Sequence, residues 1–160
     1  MKNYRVPTLT IAGSDSSGGA GIQADLKTFS AIGTYGMSVI TAVTAQNTEG
    51  VFAVEELSGE IIKSQIKAVF DDIEPAAVKI GMVSSPEIIV DIVNTIKKYN
   101  PSFLVVDPVM ISKSGYSLLK PEAKENLIKY LIPMAYLVTP NVPEAEEITG
   151  IKINSVTDMK

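Results

Sequence analysis

An α/β fold, with a mostly parallel sheet covered by helices on both faces, is predicted by three features of the sequence. Strand and helix patterns alternate along the chain. Several strands read as unbroken apolar runs, as parallel strands buried on both faces do. Residues 12–27 crowd glycines and small polar residues into a strand-to-helix handover, the place where open α/β sheets bind ligands.

The elements follow in order. Residues 8–12 read as the first strand. Residues 19–32 read as a helix with apolar positions Ile22, Leu26, Phe29 and Ile32, closed by Gly33. Strands are expected over residues 36–45 and 51–57. Ser58 caps a helix whose apolar positions are Ile62, Ile66, Val69, Phe70 and Ile73. Residues 77–82 form a buried strand. Ser85-Pro86 starts a helix through Ile89, Ile92, Val93 and Ile96, ending near Asn100-Pro101. Residues 103–106 are an apolar strand ending at Asp107-Pro108. Pro121 opens a helix through Leu127, Ile128 and Leu131. A short strand over residues 136–139 leads through Pro140-Asn141 into a helix closed by Gly150. Residues 154–160 read as an N-cap and a first helical turn. One α/β domain over residues 1–160 is expected, with its C-terminal continuation cut short.

Composition narrows the function. In 160 residues, 46% are hydrophobic and 20% charged, which describes a well-buried globular chain. A formal net charge of −4 argues against a nucleic-acid footprint or an anionic-membrane surface. No 18-residue apolar run and no signal-peptide pattern occur, so a cytoplasmic location is expected. The absence of cysteine and histidine removes thiolate catalysis, a Ser-His-Asp triad and histidine-ligated zinc within these residues. Carboxylates, amides, hydroxyls and lysines remain, which favours hard-cation chemistry such as magnesium with phosphate.

The glycine-rich turn admits close approach of backbone N–H groups to a ligand, although such turns also serve tight packing alone. It is not a P-loop, since no Gly-Lys pair occurs. Gly19, Gly21 and Ala24 match a dinucleotide fingerprint loosely. The ribose-binding acid is not evident where Gln46, Asn47 and Thr48 stand, so a nicotinamide enzyme is a weaker alternative.

Three further polar clusters end predicted strands. Gln46-Asn47-Thr48 offers an amide suited to the edge of an amino-heterocycle, or is a plain turn. Asp107-Pro108-Val109-Met110 places a carboxylate where it can face magnesium or phosphate, or initiates a turn; Gly115 keeps the following loop permissive. Asn141 and Glu144 share the first helical turn, as holders of a hydrated ion or as a capping box. Lys79 sits in a buried-looking strand and is read as extending its ammonium to solvent at the sheet edge.

Taken together, the run Ala12-Gly13-Ser14-Asp15-Ser16-Ser17-Gly18-Gly19-Ala20-Gly21-Ile22-Gln23-Ala24-Asp25 and four later motifs resemble hydroxymethylpyrimidine/phosphomethylpyrimidine kinases of thiamine biosynthesis. The later motifs are Thr41-Ala42-Val43-Thr44-Ala45-Gln46-Asn47-Thr48, Lys79-Ile80-Gly81-Met82, Val106-Asp107-Pro108-Val109-Met110 and Thr139-Pro140-Asn141-Val142-Pro143-Glu144-Ala145-Glu146. The resemblance implies a ribokinase-like fold and ATP-dependent phosphorylation of 4-amino-5-hydroxymethyl-2-methylpyrimidine and its monophosphate. It implies that Asp25 and Gln46 hold the pyrimidine, with Thr44 contributing backbone polar groups. Gly13, Ala20, Met82 and Val109 would line the pocket. Asp107, Asn141 and Glu144 would lie on the ATP, phosphate and Mg2+ side, holding the metal through water. A homodimer is implied for the intact enzyme.

The family chain continues into a second, nucleotide-binding half with a Gly-Thr-Gly anion hole, the catalytic base or its cysteine counterpart, and most adenine contacts. Residues 1–160 carry no match to it. Catalytic residues are therefore expected outside these residues, and little activity is expected from them alone. A pyridoxal/pyridoxine kinase and a non-catalytic pyrimidine-binding fragment are the alternatives.

Overall fold

The computed structural model describes residues 5–110, 119 and 121–160. Gly115 and its loop lie outside them. The described residues form β1 (Pro7–Asp15), α1 (Gly21–Ala31), β2 (Tyr35–Gln46), β3 (Val51–Glu56), α2 (Gly59–Asp72), β4 (Ala77–Ile80), α3 (Pro86–Tyr99) and β5 (Leu104–Val106). After these come α4 (Pro121–Asn126), a π turn (Leu127–Leu131), a 3-10 turn (Ile132–Met134), β6 (Leu137–Val138) and α5 (Val142–Thr149). The sheet runs β3-β2-β1-β4-β5-β6. Every pairing is parallel except β2 with β3, an antiparallel hairpin at one edge. All strand ends from β1 outward to β6 therefore point the same way, as expected.

Period-two alternation divides the sheet between two helical layers. Leu9, Ile11, Val39, Val78, Ile80, Leu104 and Val106 join Ile62, Ile66, Phe70, Ile89, Ile92 and Ile96 of α2 and α3 in one core. The other face of β1 and β2 carries α1. A β-carbon at Gly36 would stand 3.0 Å from a Leu26 methyl, which shows how closely α1 lies on β2. Two polar residues on this face, Thr10 and Lys79, sit side by side in register.

Helix starts follow local chemistry. The Ser58 and Ser85 hydroxyls accept from the backbone N–H groups of Ile61 and Ile88, capping α2 and α3. Asn100 and Gly150 end α3 and α5 in the left-handed conformation.

Some boundaries differ from expectation for physical reasons. β1 runs past residue 12 to Asp15, because β2 offers Val43 and Thr44 as partners beyond a bulge at Gly13. α1 begins at Gly21 rather than residue 19, since Ala20 is extended (φ −140°, ψ −168°) where the Gly19 and Ala20 N–H groups turn back to the Asp15 carboxylate. The helix opened by Pro121 is not uniform: it widens at Leu127 and tightens before Pro133, which has no N–H to continue an α-helix. Residues 154–160 are not a helical turn. The Asp158 carboxylate accepts from the N–H groups of Asn154 and Ser155 and from the Ser155 hydroxyl, and holds a tight turn there.

Candidate functional site

The C-terminal ends of the parallel strands surround one open cleft of about 620 Å³. Gly13 enters it from β1 at the register shift against β2, Thr44 and Gln46 from the end of β2, and Met82 from just past β4. Asp107 and Val109 follow β5, Asn141 and Glu144 open α5, and Ala20 and Asp25 come from the turn and first half of α1. The structure thus brings every predicted site residue to the lining of one cavity.

The glycine-rich turn is held by its own anion. Asp15 is buried, and its carboxylate accepts from the Ser17 N–H (2.8 Å) and hydroxyl (2.8 Å), the Gly19 N–H (3.0 Å) and the Ala20 N–H (2.8 Å). Burial alone raises the pKa of such a carboxyl, but these hydrogen bonds to the ionised form outweigh it and hold Asp15 below the usual value. The Gln23 amide locks the strand side of the turn, accepting from the Asp15 N–H (2.8 Å) and donating to the Ser14 hydroxyl (2.7 Å). Gly21 then lets α1 leave the turn: its φ is +55°, and a β-carbon there would stand 2.2 Å from the Gly13 carbonyl oxygen.

Gln46 is fixed from both ends. Its backbone meets the Ser16 hydroxyl, and the Thr44 hydroxyl lies 3.0 Å from the Ser14 carbonyl and 3.1 Å from the Gln46 amide oxygen. The Thr44 side chain thus lies against the Gln46 amide, while its position in β2 is paired with Asp15 and Val54. With its oxygen engaged by a donor, the Gln46 amide is disposed to donate through its nitrogen.

On the other wall, Asn141 and Glu144 form a reciprocal capping box: each side chain accepts from the other's backbone N–H at 2.9 Å. Asp107 sits where the chain leaves β5, its N–H bonded to the Ile80 carbonyl at 2.8 Å.

Lys79 corrects the sequence reading. Its ammonium does not run out to solvent. The side chain is 23% exposed, and its Nζ lies 3.0 Å from Asp25 and 3.4 Å from Asp107. It is the one cationic side chain on the cleft wall among the described residues, beside the carboxylates of Asp15, Asp25, Asp107 and Glu144. Asp15 and Lys79, on the cleft lining, and Gln23, which braces the turn behind it, are residues that sequence reasoning left without a role. A lysine inside an apolar strand was the visible signal for Lys79, and an aspartate two residues before Ser17 in a glycine-rich turn was the signal for Asp15.

A family model described as phosphomethylpyrimidine kinase matches residues 15–160. A hydroxymethylpyrimidine/phosphomethylpyrimidine kinase of Rhizobium meliloti (strain 1021) is 58% identical over 142 residues, covering 89% of this chain and 53% of its own. The crystal structure of phosphomethylpyrimidine kinase from Clostridium difficile 630 is 82% identical with a TM-score of 0.93, and the match covers 98% of this chain and 68% of that one. Pyridoxal kinase from Staphylococcus aureus, solved with AMP-PCP and pyridoxal, is 40% identical with a TM-score of 0.84 over 98% of this chain and 56% of that one. The sheet and helix order is that of the ribokinase-like kinases. The chain spans about half the length of the Rhizobium meliloti relative. With the family model matched over most of its length, and with this fold and these motifs, the chain belongs to the phosphomethylpyrimidine kinase family.

Proposed function

We propose that this cleft is the pyrimidine side of an ATP-dependent kinase acting on 4-amino-5-hydroxymethyl-2-methylpyrimidine and its monophosphate. The observation that carries the reading is the convergence of Asp25, Gln46, Met82, Val109 and Asp107 on one cavity of a chain of this family. Asp25 accepts from the exocyclic amino group, and the Gln46 amide nitrogen donates to a ring nitrogen. Met82 and Val109, with the small Gly13 and Ala20, leave room for a flat ring. Asp107, Asn141 and Glu144 face the phosphates.

In the first reaction the substrate hydroxyl oxygen forms a bond to the γ-phosphorus, the bond to ADP breaks and the hydroxyl proton passes to water; in the second a phosphate oxygen of the monophosphate forms that bond and ADP again leaves. These 160 residues are assigned binding and alignment, which is most of what phosphoryl transfer asks of a protein. No residue here is assigned as the base. The donor set fits a hydrated magnesium ion better than one ligated directly. Asn141 Oδ1 and one Glu144 oxygen are committed to the capping box, and Asp107 Oδ2 faces Lys79. Among the described residues no three acidic groups gather as an inner shell. Asp107 and Glu144 would hold such an ion through its water, and it would neutralise phosphate charge.

The likeness to a pyridoxal kinase supports a second reading, phosphorylation of a pyridine ring. A chimera separates the two: residues 1–160 replace the matching segment of the Clostridium difficile enzyme. It is expected to convert the hydroxymethylpyrimidine to its mono- and diphosphate, with pyridoxal the poorer substrate. A chimera that phosphorylates pyridoxal in preference establishes the second reading, and one that phosphorylates neither removes both.

A further inference from the structure

Two neighbouring strands send one donor each to the same helical carboxylate. Thr10 on β1 and Lys79 on β4 are register partners. The Thr10 hydroxyl donates to Asp25 Oδ2 at 2.6 Å, and the Lys79 ammonium reaches both Asp25 oxygens at 3.0 and 3.2 Å. Thr10 is fully buried, so its end of the arrangement is fixed by the sheet. The ammonium has a second, longer contact to Asp107 at 3.4 Å, which keeps it stretched along the cleft floor. Gly81 leaves the space it lies in: a β-carbon there would come 2.9 Å from Lys79 Nζ and 3.2 Å from the Ala12 methyl.

We infer that Lys79 is a positioning residue for ligand recognition, acting through Asp25, with Asp107 as the anchor that keeps its ammonium in place. This rests on the proposal that Asp25 holds the pyrimidine. A carboxylate that must accept from a ligand amino group gains from being immobile before the ligand arrives. A buried threonine and a doubly anchored ammonium hold the Asp25 carboxylate in one orientation. Thr10 alone leaves the carboxylate free to rotate about its one hydrogen bond. Without Lys79, Asp25 and Asp107 also lose the cation they share.

The test is titration calorimetry of the full chain with 4-amino-5-hydroxymethyl-2-methylpyrimidine. The proteins are the wild type, Lys79→Met, Asp25→Asn and the double variant. Lys79→Met is expected to weaken binding by about tenfold or more. The double variant is expected to bind no worse than Asp25→Asn alone, because Lys79 acts through that carboxylate. Gly81→Ala displaces the ammonium without removing it and is expected to weaken binding in the same direction; it decides the matter if Lys79→Met does not fold. Unchanged affinity in Lys79→Met, or in Gly81→Ala where that variant decides, overturns the inference while leaving the pyrimidine reading intact. So do independent, multiplying losses in the double variant. A wild type that binds no pyrimidine overturns both.

Discussion

The Ser16 hydroxyl clasps the backbone of Gln46, donating to its carbonyl oxygen at 2.7 Å and accepting from its N–H at 2.9 Å. The glycine-rich turn after β1 and the end of β2 are thereby one unit, and the amide at the centre of the proposed pyrimidine contact is set by a residue of that turn.

Removing this clasp is expected to loosen recognition more than it unfolds the chain. Ser16→Ala takes away two partly solvent-exposed hydrogen bonds, worth about 0.5–1.5 kcal/mol each at most. Thermal melting is expected to fall by a few degrees only, while calorimetric affinity for the pyrimidine drops severalfold. Equal wild-type and Ser16→Ala affinities would show that Gln46 needs no such support.

Gly21→Ala is expected to damage the fold itself. The left-handed backbone costs a non-glycine residue about 1–2 kcal/mol. The larger effect is that the new methyl meets the Gly13 carbonyl oxygen at 2.2 Å, so α1 must move away from β1. A loss above about 2 kcal/mol in urea unfolding is the expected outcome. A neutral substitution would mean that the turn relaxes freely.

Asp15 sets a pH dependence whose sign follows from its hydrogen bonds. Its carboxyl ionises at lower pH in the fold than in the unfolded chain. The stability it contributes is therefore complete above the ordinary carboxylate range and is lost as pH falls through the folded value. Asp15→Asn is expected to be less stable than wild type near neutral pH, with the difference shrinking in acid. Denaturant unfolding across that range checks it, and a gap that is constant with pH contradicts it.

The capping box at α5 separates a structural from a metal-side role. Asn141→Asp keeps a good cap, whereas Asn141→Ala is expected to cost about 1 kcal/mol. In the chimeric full-length enzyme, Asn141→Asp is expected to change the magnesium dependence of turnover without lowering the melting temperature. An unaltered magnesium profile in that variant assigns Asn141 to the helix cap alone.

Much of this was legible in the sequence because apolar periodicity and cap residues are local signals. The Ser58, Ser85 and Asn141 caps and the apolar stripe of α3 are where the pattern puts them. The gathering of Gly13, Gln46, Met82, Asp107 and Asn141 at one edge follows from parallel strands alone. What was not legible depends on distant partners. The Asp15 carboxylate draws Gly19 and Ala20 out of the helix they were expected to start. Lys79 takes its partners from α1 and from the end of β5, which no window around residue 79 contains. The turn at residues 154–160 is decided by Asp158 accepting backwards, where the sequence also allowed a cap facing forwards.

The most direct test of the central claim is titration of the chain with 4-amino-5-hydroxymethyl-2-methylpyrimidine and with pyridoxal, in wild type and Gln46→Ala. Loss of a paired polar group to a buried ligand costs on the order of 1–3 kcal/mol. The account predicts that the wild type prefers the pyrimidine and that Gln46→Ala weakens it by about tenfold or more with little change in melting temperature. Pyrimidine affinity that is absent, or that is indifferent to Gln46→Ala, contradicts it.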